Sequence, residues 1–188
     1  TLLEARDFIT EGHAERLELL VVSLAERIGF ASNQLDAMRL FAKFHDIGKV
    51  GISDAILFKP GPLTEEERTE MRRHSEIGYR IALASSDLVY VAEWILRHHE
   101  WWDGSGYPIG LSGTEIPIEC RILSIVDAYD AMTSDRPYRQ AMSAEQAVQE
   151  LRKFAGSQFD PALLTEFCEL LRQQDDMNHI AQYRNKGM

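Results

Sequence analysis

SNQLDAMRLFAKFHDIGKVG, residues 32–51, decides how the rest of the chain is read. Leu35, Met38, Leu40, Phe41 and Phe44 recur at helical spacing. The helix they define runs from about Ser32 into the His45-Asp46 pair, where Gly48 and then Gly51 break it. An imidazole and a carboxylate therefore stand together at a helix end. The same combination recurs on both sides. Upstream, Leu17, Leu20, Val21, Leu24 and Ile28 lie on one helix that follows His13 and reaches Gly29. Downstream, Pro60-Gly61-Pro62 makes a turn, and Thr64 with Glu67 forms a capping-box signature that opens a short charged helix towards His74. Further helices are expected over 77–84 and 88–100, the second capped by Asp87 and carrying His98-His99 in its last turn. A buried helix over 118–132 sets Asp127 and Asp130 on one side, three residues apart. Ser143 with Gln146, and Asp160 before Pro161, mark two more helix starts. With no strand, repeat or linker in the pattern, the fold class is all-α, a single helical domain over 1–172. A polar tail over 173–188 reads as a separate helix or disordered.

The chain has 188 residues, with 30 Asp and Glu against 20 Lys and Arg, and a formal charge of −10. That length supports one substantial core. No apolar run approaches the roughly 20 residues of a membrane helix, and no leader with a cleavage site stands at Thr1. Cys120 and Cys168 form neither a Cys-x-x-Cys motif nor a dense disulfide pattern, so a soluble, unprocessed chain in a reducing cytoplasm is expected. The acidity argues against a nucleic-acid polymer as partner. It leaves room for a small anion held by metals and a few local cations.

His13, His45-Asp46, His74, His98-His99 and Asp127 lie on or beside successive helices. Neutral imidazole and carboxylate suit iron, manganese or zinc, and this many donors can serve more than one ion. Helices packed around a common core bring such residues to one end. Taken singly, each feature has a plainer reading. A lone His13 or His74 is an ordinary surface or core histidine, Asp127 pairs with an arginine, and Gly104-Ser105-Gly106 shapes a turn over Trp101 and Trp102.

Three longer segments carry a resemblance. His45-Asp46-x-Gly48-Lys49, the run His98-His99-Glu100-Trp101-Trp102-Asp103-Gly104-Ser105-Gly106-Tyr107-Pro108, and Asp127-Ala128-Tyr129-Asp130-Ala131-Met132-Thr133 followed by Asp135-Arg136-Pro137-Tyr138-Arg139 together resemble the HD-GYP phosphodiesterases, within the wider HD phosphohydrolase superfamily. The resemblance spans about residues 5 to 170. It implies a helical HD domain, a cluster of two divalent metal ions, Fe or Mn, and hydrolysis of cyclic di-GMP to pGpG and on to GMP. It implies His45, Asp46, His74, His98, His99 and Asp127 as core ligands, with Asp46 bridging, and His13 as a further ligand. Some members hold a third metal through a glutamate four residues before the position of His13. Here that residue is Ile9, which cannot ligate, so a two-metal site is expected.

The chemistry of phosphodiesters agrees. Two ions lower the pKa of bound water from about 15.7 towards 7 and neutralise charge on the phosphoryl oxygens, so a metal-bridging hydroxide would attack phosphorus. Asp46 and Lys49 are the catalytic candidates. Lys49, Arg136 and Arg139 are candidates for phosphate or the base edge, with Tyr107 and Asp130 as further substrate contacts. Other readings stay open: a slow or inactive module that binds cyclic di-GMP or pGpG and signals through protein contacts, a hydrolase of an adenine-containing cyclic dinucleotide, or a mononucleotidase. Proteins of this kind carry a sensor or receiver domain ahead of the domain, and the Gly-Tyr-Pro loop is a candidate contact for a cyclase-domain partner.

Overall fold

The computed structural model describes residues 13–135 and 140–186, with side chains over 14–135 and 140–174. The described residues contain helices and short 3-10 turns, with isolated β-bridges Asp103–Ser112 and Ala155–Phe159 in place of a sheet. Helix α1 (His13–Arg27) buries Leu17, Val21, Leu24 and Ala25. It ends in a Schellman motif: Phe30 N donates to Ala25 O, Gly29 N donates to Glu26 O, and Gly29 takes φ +94°, which a side chain would strain. Helix α2 (Ser32–Phe44) buries Met38, Phe41 and Ala42 and packs along α1. The chain then tightens into a 3-10 turn, Ile47–Gly51.

Helices α3 (Asp54–Leu57), α4 (Glu65–Arg72) and α5 (His74–Leu83) follow. Thr64 and Glu67 form the expected capping box, each side chain meeting the other's backbone N–H. Helix α6 (Ala92–Arg97) is preceded by a 3-10 turn at Val89–Val91. Helix α7 (Ile118–Thr133) is the central rod, burying Cys120, Ile122, Leu123, Ile125, Val126 and Tyr129. Helix α8 (Ala144–Lys153) starts at the Ser143–Gln146 capping box. Helix α9 (Pro161–Lys186) is capped by Asp160, whose Oδ1 accepts from Ala162 N at 2.9 Å. No described helix is long and apolar enough to cross a membrane.

Two expected segments take a different course. The helix expected over 88–100 is shorter, because it begins as a 3-10 turn and stops at Arg97. Asp87 does not cap it; its carboxylate accepts the Ser86 hydroxyl at 3.3 Å. The His98-His99 pair therefore lies just beyond the last turn. At the other end, α9 continues from Pro161 to Lys186, through residue 173 where the tail was expected to begin. The Arg27 guanidinium reaches Glu166 at 2.7 Å and Gln173 at 3.0 Å on that helix.

Gly48 fixes how the 3-10 turn sits on α5. A Cβ at this position would stand 1.8 Å from the His74 carbonyl oxygen and 2.5 Å from Gly78 N. Backbone contacts that close cannot yield to a rotamer change. Gly48→Ala is therefore expected to cost about 1–3 kcal/mol by overpacking and to move His74 away from Asp46. Chemical denaturation with metal counting reads both, and an unaltered midpoint with unaltered metal content would contradict this packing.

Candidate metal centre

Three helix breaks build the site. His45 follows the last residue of α2, His74 is the first residue of α5 immediately after the α4 cap, and His98 follows the last residue of α6. In each case the ring Nδ1 meets the carbonyl three residues back: Ala42 O at 2.8 Å, Met71 O at 2.7 Å and Ile95 O at 2.7 Å. A carbonyl can only accept, so each Nδ1 carries a proton, and in the neutral ring Nε2 keeps its lone pair. All three rings are buried.

Those lone pairs converge. His74 Nε2 stands 3.2 Å from His98 Nε2 and 3.1 Å from His99 Nε2. Asp46 Oδ1 is 3.3 Å from His74 Nε2 and 3.7 Å from His98 Nε2, while Oδ2 faces His45 Nε2 at 3.3 Å and Lys49 Nζ at 2.6 Å. One donor atom from each of Asp46, His74, His98 and His99 lies within 4.8 Å of the others. Facing lone pairs repel unless a cation sits between them. Nitrogens each about 2.0–2.1 Å from one ion stand about 3–3.4 Å apart, which is the separation found here. The donor set fits a divalent metal, and the two Asp46 oxygens face different groups.

Protonation of the metal-free site follows the same geometry. Burial opposes charge on the His45 ring, but the Asp46 carboxylate, with Asp127 and the Ala42 carbonyl, pushes it up to about 9. Burial also works against a charged Asp46, yet Lys49 and His45 hold its carboxyl well below the usual range. For His74 burial dominates and lowers it to about 4; His99 is likewise pushed well below the ordinary value, by burial and the neighbouring His98 and His74. His74 and His99 are thus neutral near pH 7, the form that ligates.

Asp127, on α7, joins His98 and His99 in lining a cleft of about 200 Å³. Tyr107 lies against the His99 ring at 4.8 Å between centroids, and burial raises its phenol well above the ordinary value. Lys49 sits on Asp46. Asp130, one turn beyond Asp127, points elsewhere: it is buried and accepts from Arg16 Nε at 2.9 Å and the Ser134 hydroxyl at 3.3 Å. Arg136, Arg139 and Ile9 lie outside the described residues, as does the His13 side chain.

Two contributors escaped sequence reasoning. Glu100 is buried, and its carboxylate accepts backbone N–H groups from Ile109 at 2.7 Å, Gly110 at 3.0 and 3.2 Å, and Leu111 at 2.8 Å. The loop after the histidine pair is thereby wrapped around the pair itself. Gly106 allows this, since a Cβ there would stand 2.3 Å from Trp101 N and 2.6 Å from His99 O. Arg72 places its guanidinium 5.1 Å from the Tyr107 ring centroid. The only sequence signal for Glu100 is an acid set between the ligands and a glycine-rich loop full of free N–H groups.

The model for the HD domain family matches residues 1–163. A cyclic di-GMP phosphodiesterase of Thermotoga maritima is 42% identical over 178 residues, which is 94% of this chain and 48% of that protein. A 3'3'-cGAMP-specific phosphodiesterase of Vibrio cholerae is 41% identical over 169 residues, 89% of this chain and 32% of that protein. The chain thus spans about half the length of these relatives or less. The crystal structure of a V. cholerae cyclic GMP-AMP specific phosphodiesterase superposes with a TM-score of 0.63 at 23% identity, covering 88% of this chain and 46% of that one, a likeness of fold.

Replacing the Glu100 carboxylate tests the loop. Glu100→Gln keeps the shape but turns an NH2 towards N–H donors, leaving some unsatisfied at about 1–3 kcal/mol each. Amide exchange at Ile109, Gly110 and Leu111 is expected to speed up at least tenfold relative to the core of α7. Unchanged protection would remove Glu100 from this role.

Proposed function

The chain belongs to the HD domain family, and from that premise we propose that it is a metal-dependent phosphodiesterase acting on cyclic dinucleotides, cyclic di-GMP among them, to give pGpG or GMP. The observation that carries this reading is the convergence of Asp46, His74, His98 and His99 within 4.8 Å. Two ions, Fe or Mn, held by these residues with His45, Asp127 and His13, would activate water near neutral pH and neutralise charge on the phosphoryl group. The catalytic unit is assigned to 1–172, with 173–188, which continues the last helix as far as Lys186, as its tail.

The chain's own residues do the remainder. Asp46 offers one oxygen to each side of the cluster, and the carbonyl-bound Nδ1 atoms hold the rings in the ligating tautomer. Lys49, now paired with Asp46, is the cation nearest the cluster that can turn to a non-bridging phosphate oxygen. Arg136 and Arg139 supply planar forks for phosphate or base. Tyr107, held against His99 by the Glu100-bound loop, closes one side of the site to water. Asp130 acts on substrate only indirectly, through Arg16 and the end of α7. The free cysteines Cys120 and Cys168 suit a reducing cytoplasm, the proposed location.

Anaerobic incubation of the iron- or manganese-loaded chain with cyclic di-GMP, with products separated by chromatography, is expected to give pGpG or GMP, and none after metal removal. Metal-loaded protein that binds the dinucleotide without turnover would replace this reading with a binding module. Lys49→Ala is expected to lower kcat by about 10²-fold, the loss typical of one charge-stabilising donor, with metal content retained. Unchanged kinetics would take Lys49 out of the site.

A further inference from the structure

The cleft lined by His98, His99 and Asp127 also carries residues that metal binding does not explain. Leu123 and Ala128 of α7 line it with apolar side chains, and Trp101 and Gln158 reach it from two separate loops. At about 200 Å³ it is smaller than the about 300–1,000 Å³ of pockets that enclose a whole drug-sized ligand. It takes a fragment of the substrate rather than all of it. Trp101, which lines the cleft, remains 37% exposed beside a buried cluster.

Gln158 is held by its backbone and free at its side chain. Its carbonyl accepts from Trp102 N at 3.2 Å and its N–H donates to Phe154 O at 3.0 Å. The side-chain amide has no hydrogen-bond partner among the described residues. The wall it stands on is pinned: Asp103 N donates to Ser157 O at 2.8 Å, and Arg121, paired with Asp160 at 2.8 Å, sets its guanidinium against the Trp102 ring. An aromatic ring and an unpartnered amide lining one cleft are what recognition of a flat, polar-edged ring needs.

We propose that this cleft seats one purine base of the substrate, stacked on Trp101 and read along its edge by the Gln158 amide, with adenine favoured over guanine. The proposal rests on the cyclic-dinucleotide reading above. Stacking tolerates either base because every base has a π face. The edge discriminates. A glutamine amide, one donor and one acceptor, matches N7 and the N6 amine of adenine. Guanine presents two acceptors there, N7 and O6, and would leave the amide oxygen facing an acceptor. The cleft takes one base, so a single adenine in the dinucleotide satisfies it.

The test compares kcat and KM of the metal-loaded chain on cyclic di-GMP, 3'3'-cGAMP and cyclic di-AMP, for the wild type, Trp101→Ala, Trp101→Phe and Gln158→Ala. Trp101→Ala is expected to raise KM for all three about tenfold or more with little change in kcat, and Trp101→Phe to recover most of the loss. Gln158→Ala is expected to reduce the preference for adenine-containing substrates about tenfold. Nucleotide binding should quench tryptophan fluorescence in the wild type and much less in Trp101→Phe, although calorimetry still detects binding. Active wild type with unchanged KM in Trp101→Ala, or an unchanged substrate ratio in Gln158→Ala, overturns the base subsite alone. Loaded wild type that neither binds nor cleaves any of the three overturns the proposed function and the subsite together.

Discussion

The hydrogen bond from a histidine Nδ1 to the carbonyl three residues before it is the constraint on which the rest of the site depends. It occurs at His45, His74 and His98, each at one end of a helix. In an unbroken helix, the carbonyl three residues before a histidine accepts from the amide of the residue after it. At His45 and His98 the helix stops and the imidazole takes up that acceptor. At His74 the acceptor is a carbonyl in the last turn of α4. The same bond thus satisfies a helix terminus, selects the tautomer and aims Nε2 inward. Because the acceptors belong to helices rather than to flexible loops, the rings are oriented before any cation arrives.

That orientation places neutral nitrogens about 3 Å apart in a buried space, with the Asp46 carboxylate among them. Its carboxylate, flanked by His45 and Lys49, is the one formal negative charge within the quartet. The chain carries a formal net charge of −10, but exposed charges beyond about 8 Å are screened at physiological salt. The field felt by an anionic substrate is set locally, by the cluster and the cations beside it. Glu100 shows how a second buried carboxylate is tolerated: backbone N–H donors surround it, and its charge is spent on holding the loop that carries Tyr107.

Much of the helix plan was legible in the residues. Side-chain chemistry at Thr64 and Ser143 located helix starts, and the apolar spacing of Leu17 to Ile28 located α1. The donors His74, His98, His99 and Asp46 were legible as a set because their residue types suit one kind of ion. What periodicity missed lay where side chains compete with the backbone. It carried α6 through the histidine pair, since nothing in residue spacing reveals that His98 takes the carbonyl of Ile95. Asp130 shares a helix face with Asp127, but its role is decided by Arg16, 114 residues away in sequence, a pairing that no local pattern encodes. Glu100 was hidden for the same reason: its partners are backbone groups of a loop whose course depends on Gly106.

The most direct test is a histidine-selective nitrogen-15 NMR experiment on the metal-free chain, followed by anaerobic titration with a diamagnetic divalent cation. The account predicts Nδ1-protonated rings for His74 and His98 before the titration. It then predicts large shifts of the Nε2 resonances of His74, His98 and His99, saturating at no more than two ions per chain and absent in Asp46→Ala. Nε2-protonated rings in the metal-free chain, or cation binding that leaves these nitrogens unmoved, would contradict it.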